Sequence, residues 1–267
     1  FSDELNHASI IDGCRLSRAH TVVYRHNDMD DLARCLARHA GSGRRLIVTD
    51  GVFSMDGDIA PLPEIVKLAR QHNALVMVDD AHATGVIGPG GRGTAAYYGL
   101  EHAVDVQMGT LSKALGAEGA YVAGSQLLID YLINRARSFI FSTALSPAVI
   151  ASALAALTVL MDNPELVQLL HDKTKYFKDR LLAAGFSLGL SVTPIIPLIV
   201  GDACQTMRFS EKLLAEGLVV SAIRPPTVPP GTSRLRLTVT AAHTWTDLDY
   251  AAALISRVGQ ELGIVEG

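Results

Sequence analysis

Short apolar runs alternate along the chain with longer segments in which apolar residues recur every three or four positions. Runs of four or five apolar residues are typical of buried strands, whereas the wider spacing is typical of helices that bury one face. The predicted strands are 46–49, 75–78, 104–108, 120–123 and 138–141, and a helix over 61–69 separates the first two. Strands that alternate with helices in this way predict a mostly parallel central sheet flanked by helices, an α/β architecture.

The second half of the chain has a different pattern. An Ala- and Leu-rich helix is predicted over 147–161, and it ends at Asp162-Asn163-Pro164. Helices are then predicted over 165–184, 205–216 and 246–262, with strands over 195–200 and around Val219 and Leu235. Thr246 and Asp249 have the spacing of a capping box at the start of the last helix. We therefore predict a large domain over 1–160 and a small α+β domain over 161–267.

Composition narrows the class of protein and its partners. The 267 residues are 49% hydrophobic and 19% charged, which is ordinary for a globular protein. A net charge of −4 gives no reason to expect nucleic acid or an anionic membrane as partner. The helix over 147–161 is too short to span a membrane. Cys14, Cys35 and Cys204 form no CxxC pair, which favours a reducing cytoplasm, and we predict no metal site.

A lysine lies among hydroxyl-bearing and small residues directly after a predicted strand. The stretch 109–116 reads GTLSKALG, with the lysine at position 113. Small neighbours allow a flat cofactor to approach the backbone, and the hydroxyl groups of Thr110 and Ser112 can hold a phosphate. The amine of Lys113 can form an imine with an aldehyde. This combination favours pyridoxal phosphate as the cofactor.

Two carboxylates and a histidine follow another predicted strand, in the order Asp79-Asp80-Ala81-His82. A carboxylate at the end of a buried strand is costly to desolvate unless a cation meets it. A pyridoxal phosphate site needs one carboxylate to keep the pyridine nitrogen protonated. The pattern alone leaves open which aspartate has this role and which caps a helix.

A glycine-rich stretch over 88–93, GPGGRG, formally satisfies the dinucleotide-binding pattern G-x-G-x-x-G. It does not directly follow a strand, it contains a proline, and no acidic residue lies about 20 positions further on. We therefore interpret it as a loop near the active site and not as a dinucleotide site.

Together these motifs resemble the α-oxoamine synthases, which are pyridoxal-phosphate enzymes with the fold type I of aspartate aminotransferase. The resemblance extends along nearly the whole chain through NHAS at 6–9, DGVFSMDGD at 50–58, FSTAL at 141–145 and RLRLT at 234–238. It implies a homodimer with a shared active site. Family members carry a segment before the NHAS motif, so the N-terminal part of the large domain is expected to be missing here.

The resemblance also implies residue roles. Lys113 bonds the cofactor and transfers protons, Asp79 meets the pyridine nitrogen, and His82 with nearby Ser54 binds the phenolic oxygen. The other implied roles are ring stacking, proton transfer and substrate contact for His7, phosphate binding for Thr110, and binding of the neighbouring subunit's phosphate for Ser142 and Thr143. Arg234 and Arg236 alternate at strand period and so share one face. By motif, Arg236 binds the substrate carboxylate, Arg224 and Thr227 contact substrate, and Arg234 is structural.

The implied activity is a decarboxylative condensation of an amino acid with an acyl thioester. The stretch AIRPPTVP at 222–229 resembles members that join L-alanine to a pimeloyl thioester, on coenzyme A or a carrier protein, in biotin synthesis. Condensation of glycine with acetyl-CoA is the alternative within the family, and the Arg-Pro-Pro-Thr stretch argues against it. A catalytically silent subunit is a third hypothesis, which Lys113, Asp79 and His82 disfavour. Asp50 stands where many relatives have glutamate, which shortens an acid near the substrate.

Overall fold

The computed structural model describes residues 1–39, 41 and 43–266, and the chain divides into two compact units. The first unit is Phe1–Phe53 with Ile59–Pro164, and the second is Ser54–Asp58 with Glu165–Gly267. The main break follows Pro164, close to the boundary placed at residue 160 from the sequence. The short segment Ser54–Asp58, which groups with the second unit, has no signal in the sequence pattern.

The described part of the first unit contains a six-stranded sheet. Its strands are β1 (Ser2–Asp3), β2 (Val23–Tyr24), β3 (Arg45–Asp50), β4 (Ala74–Asp79), β5 (Val106–Thr110) and β6 (Ala120–Gly124), in the order β2-β1-β3-β4-β5-β6. Neighbouring strands are parallel except β5 and β6, which are antiparallel. The mostly parallel sheet predicted from the alternating pattern is confirmed.

Helices of the first unit follow the strands. They are α1 (Ala8–Ser17), α2 (Met29–Arg38), α3 (Leu62–Gln71), α4 (Thr94–Tyr97), α5 (Gln126–Arg135), α6 (Arg137–Ile140) and α7 (Pro147–Asp162). Asp28 caps α2 by accepting the N–H of Asp31, and Ser146 caps α7 ahead of Pro147. The core of the unit includes Leu32 and Leu36 of α2, Leu62 and Ile65 of α3, and Ile47, Val76 and Val78 of the sheet. Burial of these apolar side chains holds the strands whose ends form the site.

The strand predicted over 138–141 is wrong, because most of this segment belongs to helix α6. Its apolar run is too short to distinguish a strand from a helix by pattern. Local hydrogen bonds decide the outcome: the N–H of Ile140 donates to the carbonyl of Ala136 at 2.9 Å, and the N–H of Phe141 donates to that of Arg137 at 3.0 Å. The sheet therefore ends at β6 within the described residues.

The second unit contains a three-stranded antiparallel sheet and three long helices among its described residues. The strands are β7 (Ile195–Gly201), β8 (Ser221–Ile223) and β9 (Ser233–Thr238), in the order β7-β9-β8, and the helices are α8 (Glu165–Ala183), α9 (Ala203–Ala215) and α10 (Trp245–Glu261). Phe209, Leu235 and Ile255 are fully buried in this unit. This is the small α+β unit that the sequence predicts after the proline break.

The capping box of the last helix lies two residues before its predicted position. Thr244 accepts the N–H of Asp247 through its side chain, and the Asp247 carboxylate accepts the N–H of Thr244 at 2.8 Å. Asp249, the predicted partner, instead accepts a hydrogen bond from the Tyr176 hydroxyl at 2.6 Å and forms an ion pair with Arg180 at 2.7 Å. Both positions satisfy the T-x-x-D pattern, so tertiary contacts of Asp249 decide between them.

In the described part of the chain, we find no single helix with the length and hydropathy of a membrane span. The consecutive helices α7 and α8 meet those criteria only when they are taken together, by length and composition alone.

Candidate active site

Three parallel strands end side by side and bring the predicted chemical groups together. Asp50 at the end of β3 is in register with Asp79 at the end of β4, and Asp79 is in register with Met108 of β5. Ligands of open parallel sheets bind beyond the carboxyl ends of the strands. Residues that follow these strands along the chain, including His82 and Lys113, therefore lie at one edge of the sheet.

A single cavity at this edge collects most of the predicted site residues. It is lined by His7, Ser9, Asp50, Val52, Asp79, Ala81, His82, Met108, Thr110 and Lys113. All of these belong to the first unit. The structure thus unites Lys113, Asp79, His82, Thr110 and His7, which lie up to about a hundred residues apart in sequence.

The structure distinguishes the two adjacent aspartates. Asp79 lines the cavity, and its Oδ1 accepts the N–H of Ala81 at 2.9 Å. Asp80 is not part of the cavity lining, and its Oδ2 accepts the N–H of Thr94 at 2.9 Å. Asp80 therefore holds the first residue of α4, a helix that starts 14 residues further along the chain. Asp79 remains as the carboxylate available to a ligand in the cavity.

Asp80 also anchors the glycine-rich loop. Gly93, with φ of 93°, packs so closely on the Asp80 carboxylate that a Cβ at position 93 would collide with it. The loop forms a hydrogen-bonded turn, in which the N–H of Gly93 donates to Ile87 at 2.9 Å and that of Gly85 donates to Gly91 at 2.7 Å. Burial is the main cause that raises the pKa of Asp80 to about 6. Gly88, Gly91 and Gly93 thus serve close packing of the backbone.

Lys113 lies in the connection between β5 and β6, which backbone hydrogen bonds hold in shape. The N–H of Leu111 donates to Gly119 at 2.9 Å, and the N–H of Ala117 donates back to Leu111 at 2.8 Å. The N–H of Gly116 donates to the carbonyl of Lys113 itself at 3.1 Å. The lysine is therefore carried on an ordered loop, with an exposed side chain that borders the cavity.

The polar groups around the cavity match those of pyridoxal phosphate. The Oγ1 atom of Thr110 is buried at the cavity wall and has no hydrogen-bond partner among the described residues. A buried hydroxyl without a partner requires an explanation, and a phosphate oxygen would provide one. Lys113 offers an amine for the aldehyde, and the 6% exposed Asp79 offers a carboxylate for the ring nitrogen. The residues present therefore fit this cofactor.

His7 reaches the cavity from the start of α1. It caps this helix, and its Nδ1 accepts the N–H of Ser9 at 3.3 Å and lies 2.8 Å from the Ser9 hydroxyl. The backbone N–H of His7 donates to Oδ2 of Asp50 at 3.1 Å. The imidazole is exposed toward solvent and borders the cavity. This placement agrees with a ring that covers a ligand.

Asp50 is a buried carboxyl group, only 6% exposed, and it lies beside a second carboxylate. Burial is the largest cause that raises its pKa to about 8, followed by the negative charge of Asp79. The hydrogen bond from His7 and the charge of Lys113 lower it, and the charge of Asp3 raises it. Asp50 is therefore mostly uncharged at neutral pH.

Because Asp50 is protonated at neutral pH, we expect the free energy of unfolding to depend on pH differently in the protein and in its Asp50→Asn variant. Because the pKa of Asp50 is about 8 in the folded state and near 4 when unfolded, unfolding releases a proton between these pH values. The free energy of unfolding therefore falls as pH rises from 5 to 8, relative to the variant, by roughly 4 kcal/mol at most.

Denaturant unfolding of both proteins at several pH values measures this difference. Asp12→Asn on the exposed side of α1 is the matched control, and its curve should run parallel to that of the unsubstituted protein. A constant difference between Asp50→Asn and the unsubstituted protein across this pH range would contradict the prediction.

Ser54 and the two arginines of β9 belong to the second unit. The Nε–H of Arg236 donates to the carbonyl of Ser54 at 2.6 Å, and burial lowers the pKa of this half-buried arginine. Arg234 is 5% exposed, pairs with the Asp56 carboxylate and donates to the carbonyl of Met55 at 3.1 Å. The internal partners of Arg234 agree with the structural role implied for it, whereas Arg236 is more accessible.

Four other predicted residues are exposed and do not line the cavity described above: Ser142, Thr143, Arg224 and Thr227. The Ser142 hydroxyl donates to the carbonyl of Ser138 at 2.5 Å, and the N–H of Thr227 donates to that of Arg224 at 3.1 Å. Among the described residues there is no group of three or more His, Cys, Asp or Glu that could hold a metal ion.

Sequence reasoning gave no role to Asn6, and it identified Asp80 as a possible helix cap without finding its partner. Asn6 is buried, and its Oδ1 accepts the N–H of Asp50 at 2.8 Å. Asp80 anchors the glycine loop, as described above. Asn6 was visible only as part of a family motif, and no local pattern links either residue to its distant partner.

Comparisons with known proteins agree with this geometry. The model of the family "Aminotransferase class I and II" matches residues 1–255. The 8-amino-7-oxononanoate synthase of Geobacter sulfurreducens is 58% identical over 268 residues, which cover 99% of this chain and 68% of that protein. The solved 8-amino-7-oxononanoate synthase of Francisella tularensis superposes with a TM-score of 0.83 at 29% identity, over 98% of this chain and 75% of that one.

A serine palmitoyltransferase (SPT) solved with PLP superposes with a TM-score of 0.95 at 36% identity, over 98% of this chain and 67% of that one. These findings confirm the fold type and the enzyme family predicted from the motifs. The chain belongs to the aminotransferase class I and II family and, within it, to the 8-amino-7-oxononanoate synthases.

Proposed function

We propose that this protein condenses L-alanine with a pimeloyl thioester to give 8-amino-7-oxononanoate, CO2 and the free thiol of coenzyme A or a carrier protein. As a member of its family it is a pyridoxal-phosphate-dependent acyltransferase of the α-oxoamine synthase type, which acts in biotin biosynthesis on small-molecule substrates. The observation that carries the proposal is the one cavity where Lys113, Asp79, His82 and Thr110 meet.

The first-unit residues have distinct tasks in this proposal. When bound, pyridoxal phosphate supplies a ring that accepts electron density from the α-carbon of the amino acid. Lys113 would bond the cofactor aldehyde, and its free amine would remove the α-proton of the amino acid. Asp79 keeps the ring nitrogen protonated, and Thr110 binds the phosphate. His82 donates to the phenolic oxygen.

The net bond changes follow from these tasks. A bond forms between the α-carbon of alanine and the acyl carbon, while the carbon–sulfur bond of the thioester breaks and the thiolate takes up a proton from solvent. The carboxylate of alanine leaves as CO2, and a proton returns to the α-carbon from Lys113. His7 covers the ring and assists this proton transfer.

Second-unit residues supply the substrate contacts in this proposal. Arg236 binds the carboxylate of the amino acid, because an arginine fork accommodates a carboxylate in bidentate fashion. Its hydrogen bond to the Ser54 carbonyl orients the guanidinium group. Ser54 adds a hydroxyl for the phenolic oxygen, and Arg224 and Thr227 contact the acyl substrate.

We further propose a cytoplasmic homodimer in which Ser142 and Thr143 reach the phosphate of the neighbouring subunit. Helices α5, α6 and α7 have no buried residue, and Leu127, Phe141 and Met161 are more than 70% exposed. Apolar surface of this extent is typical of an interaction site. Cys14, Cys35 and Cys204 are free thiols, as is usual in a reducing compartment.

A product assay tests the proposed reaction. The purified chain is incubated with pyridoxal phosphate, with L-alanine or glycine, and with pimeloyl-CoA, pimeloyl carrier protein or acetyl-CoA, and the products are identified by mass spectrometry. We expect 8-amino-7-oxononanoate from alanine and a pimeloyl donor, in a preparation that sediments as a dimer. A product only from glycine and acetyl-CoA would indicate the alternative reaction instead. A monomer that forms product would contradict the shared site.

A further inference from the structure

One carboxyl group at the cavity has no task in the proposed reaction. Asp50 ends β3 beside Asp79, lines the cavity and is buried. Buried carboxyl groups are costly unless hydrogen bonds satisfy them. The hydrogen bonds of Asp50 therefore indicate what it does.

Asp50 is joined to the segment before α1 by two reciprocal hydrogen bonds. The N–H of His7 donates to Oδ2 of Asp50 at 3.1 Å, and the N–H of Asp50 donates to Oδ1 of Asn6 at 2.8 Å. The Asn6 amide in turn donates to the Ser2 hydroxyl at 2.9 Å and to the carbonyl of Val48 at 2.8 Å. The end of β3 and the backbone at residues 6 and 7 are thus tied to each other.

This tie controls the position of the His7 ring. The imidazole is exposed, and its described polar contacts are to Ser9, which follows it in the same helix cap. These contacts hold the ring relative to α1 but not relative to the sheet. The hydrogen bond from the His7 backbone to Asp50 supplies that second restraint, across 43 residues of sequence.

We propose that Asp50 is a positioning residue, whose carboxyl oxygen fixes the backbone of His7 to the end of β3 and so holds the imidazole over the cavity. The inference rests on the function proposed for His7 as the residue that covers the cofactor ring. Asp50 acts through His7 and needs no contact with substrate. Because an uncharged acceptor oxygen is sufficient for this task, asparagine should replace aspartate here, whereas alanine should not.

Asp50→Ala and Asp50→Asn form the matched pair for the test. In protein without added cofactor, hydrogen exchange of the His7 amide is measured at residue resolution. Loss of the acceptor in Asp50→Ala should speed this exchange about tenfold, whereas Asp50→Asn should stay within about threefold of the unsubstituted protein. Equal exchange in Asp50→Ala and the unsubstituted protein would overturn the inference, as would equal acceleration in both variants.

The dissociation constant of pyridoxal phosphate is a second readout, from a titration followed by visible absorption. It should rise about tenfold in Asp50→Ala and change little in Asp50→Asn. An unchanged constant in Asp50→Ala would show that the tie does not serve the cofactor. If the unsubstituted protein binds no cofactor, the proposed function fails, while the exchange experiment still decides whether Asp50 holds His7.

If Asp50→Ala does not fold, the hydrogen bond can be measured in the unsubstituted protein. In the unsubstituted protein, NMR should detect a scalar coupling across the hydrogen bond between the His7 amide nitrogen and the Asp50 carboxyl carbon. Presence of the coupling supports the tie. Its absence, with the His7 amide exchanging as fast as an unprotected one, would overturn the proposal.

Discussion

Replacement of Lys113 by alanine is expected to abolish the visible absorption that appears when pyridoxal phosphate bonds a lysine, and with it product formation. The amine of Lys113 borders the cavity and can bond the aldehyde, and in the proposed reaction it is also the base that removes the α-proton. Loss of a positioned acid–base group alone costs about 10²- to 10⁴-fold in rate. Loss of the covalent attachment should bring turnover below detection. Absorption spectra and the product assay measure both effects.

Two control variants separate the chemistry of Lys113 from its charge. Lys113→Arg keeps the positive charge but cannot form the bond, so it should lose the absorption as completely as the alanine variant. Lys175→Ala, on the exposed face of α8, removes a lysine that pairs with Asp179, and it should leave the spectrum unchanged. Retention of the band in Lys113→Ala would show that another amine holds the cofactor.

Asp79→Asn is expected to lower turnover by about 10³-fold while the protein remains folded. A carboxylate about 4 Å from the ring nitrogen, at an effective dielectric constant of about 20, stabilises the protonated ring by about 4 kcal/mol. At about 1.4 kcal/mol per tenfold change, loss of this interaction corresponds to roughly three orders of magnitude. Asparagine keeps the size of the side chain and an acceptor for the Ala81 N–H, so the change isolates the charge.

The neighbouring carboxylate provides the control for Asp79. Asp80 holds the Thr94 N–H outside the cavity lining, and Asp80→Asn keeps an oxygen acceptor for it. We expect Asp80→Asn to retain most of its turnover and Asp79→Asn to lose nearly all of it. Equal losses in the two variants, compared in the same product assay, would show that the charge on Asp79 has no special role.

The strands that carry the chemistry were predictable because each is an apolar run that ends in polar residues. The runs at 46–49 and 75–78 lie within β3 and β4, and Asp79 closes β4 as expected, whereas β3 extends one residue beyond the predicted strand to Asp50. Strands β1 and β2 were missed because each has only two residues, and the apolar run around β2, at 22–24, is shorter than the runs that predict a strand. The hydrophobic pattern predicts a strand or helix when several of its successive side chains are buried and therefore apolar.

Pairings between distant residues were not predictable. No pattern indicates that Asp80 accepts the Thr94 N–H, or that Asp50 accepts the His7 N–H across 43 residues. Arg234 and Arg236 share a face by strand period, yet one is buried in an ion pair with Asp56 and the other is bonded to the Ser54 carbonyl. Their neighbours come from a segment 178 to 182 residues earlier in the chain, which only the fold brings close.

The amino-acid sequence by itself determined the family and the cofactor, because the motifs that carry the resemblance are short runs of neighbouring residues. The resemblance already favoured Asp79 over Asp80, whereas the tertiary structure alone decided which oxygen holds His7 and where the last helix is capped. Each of those outcomes depends on a hydrogen bond or an ion pair whose geometry arises only after strands and helices have packed.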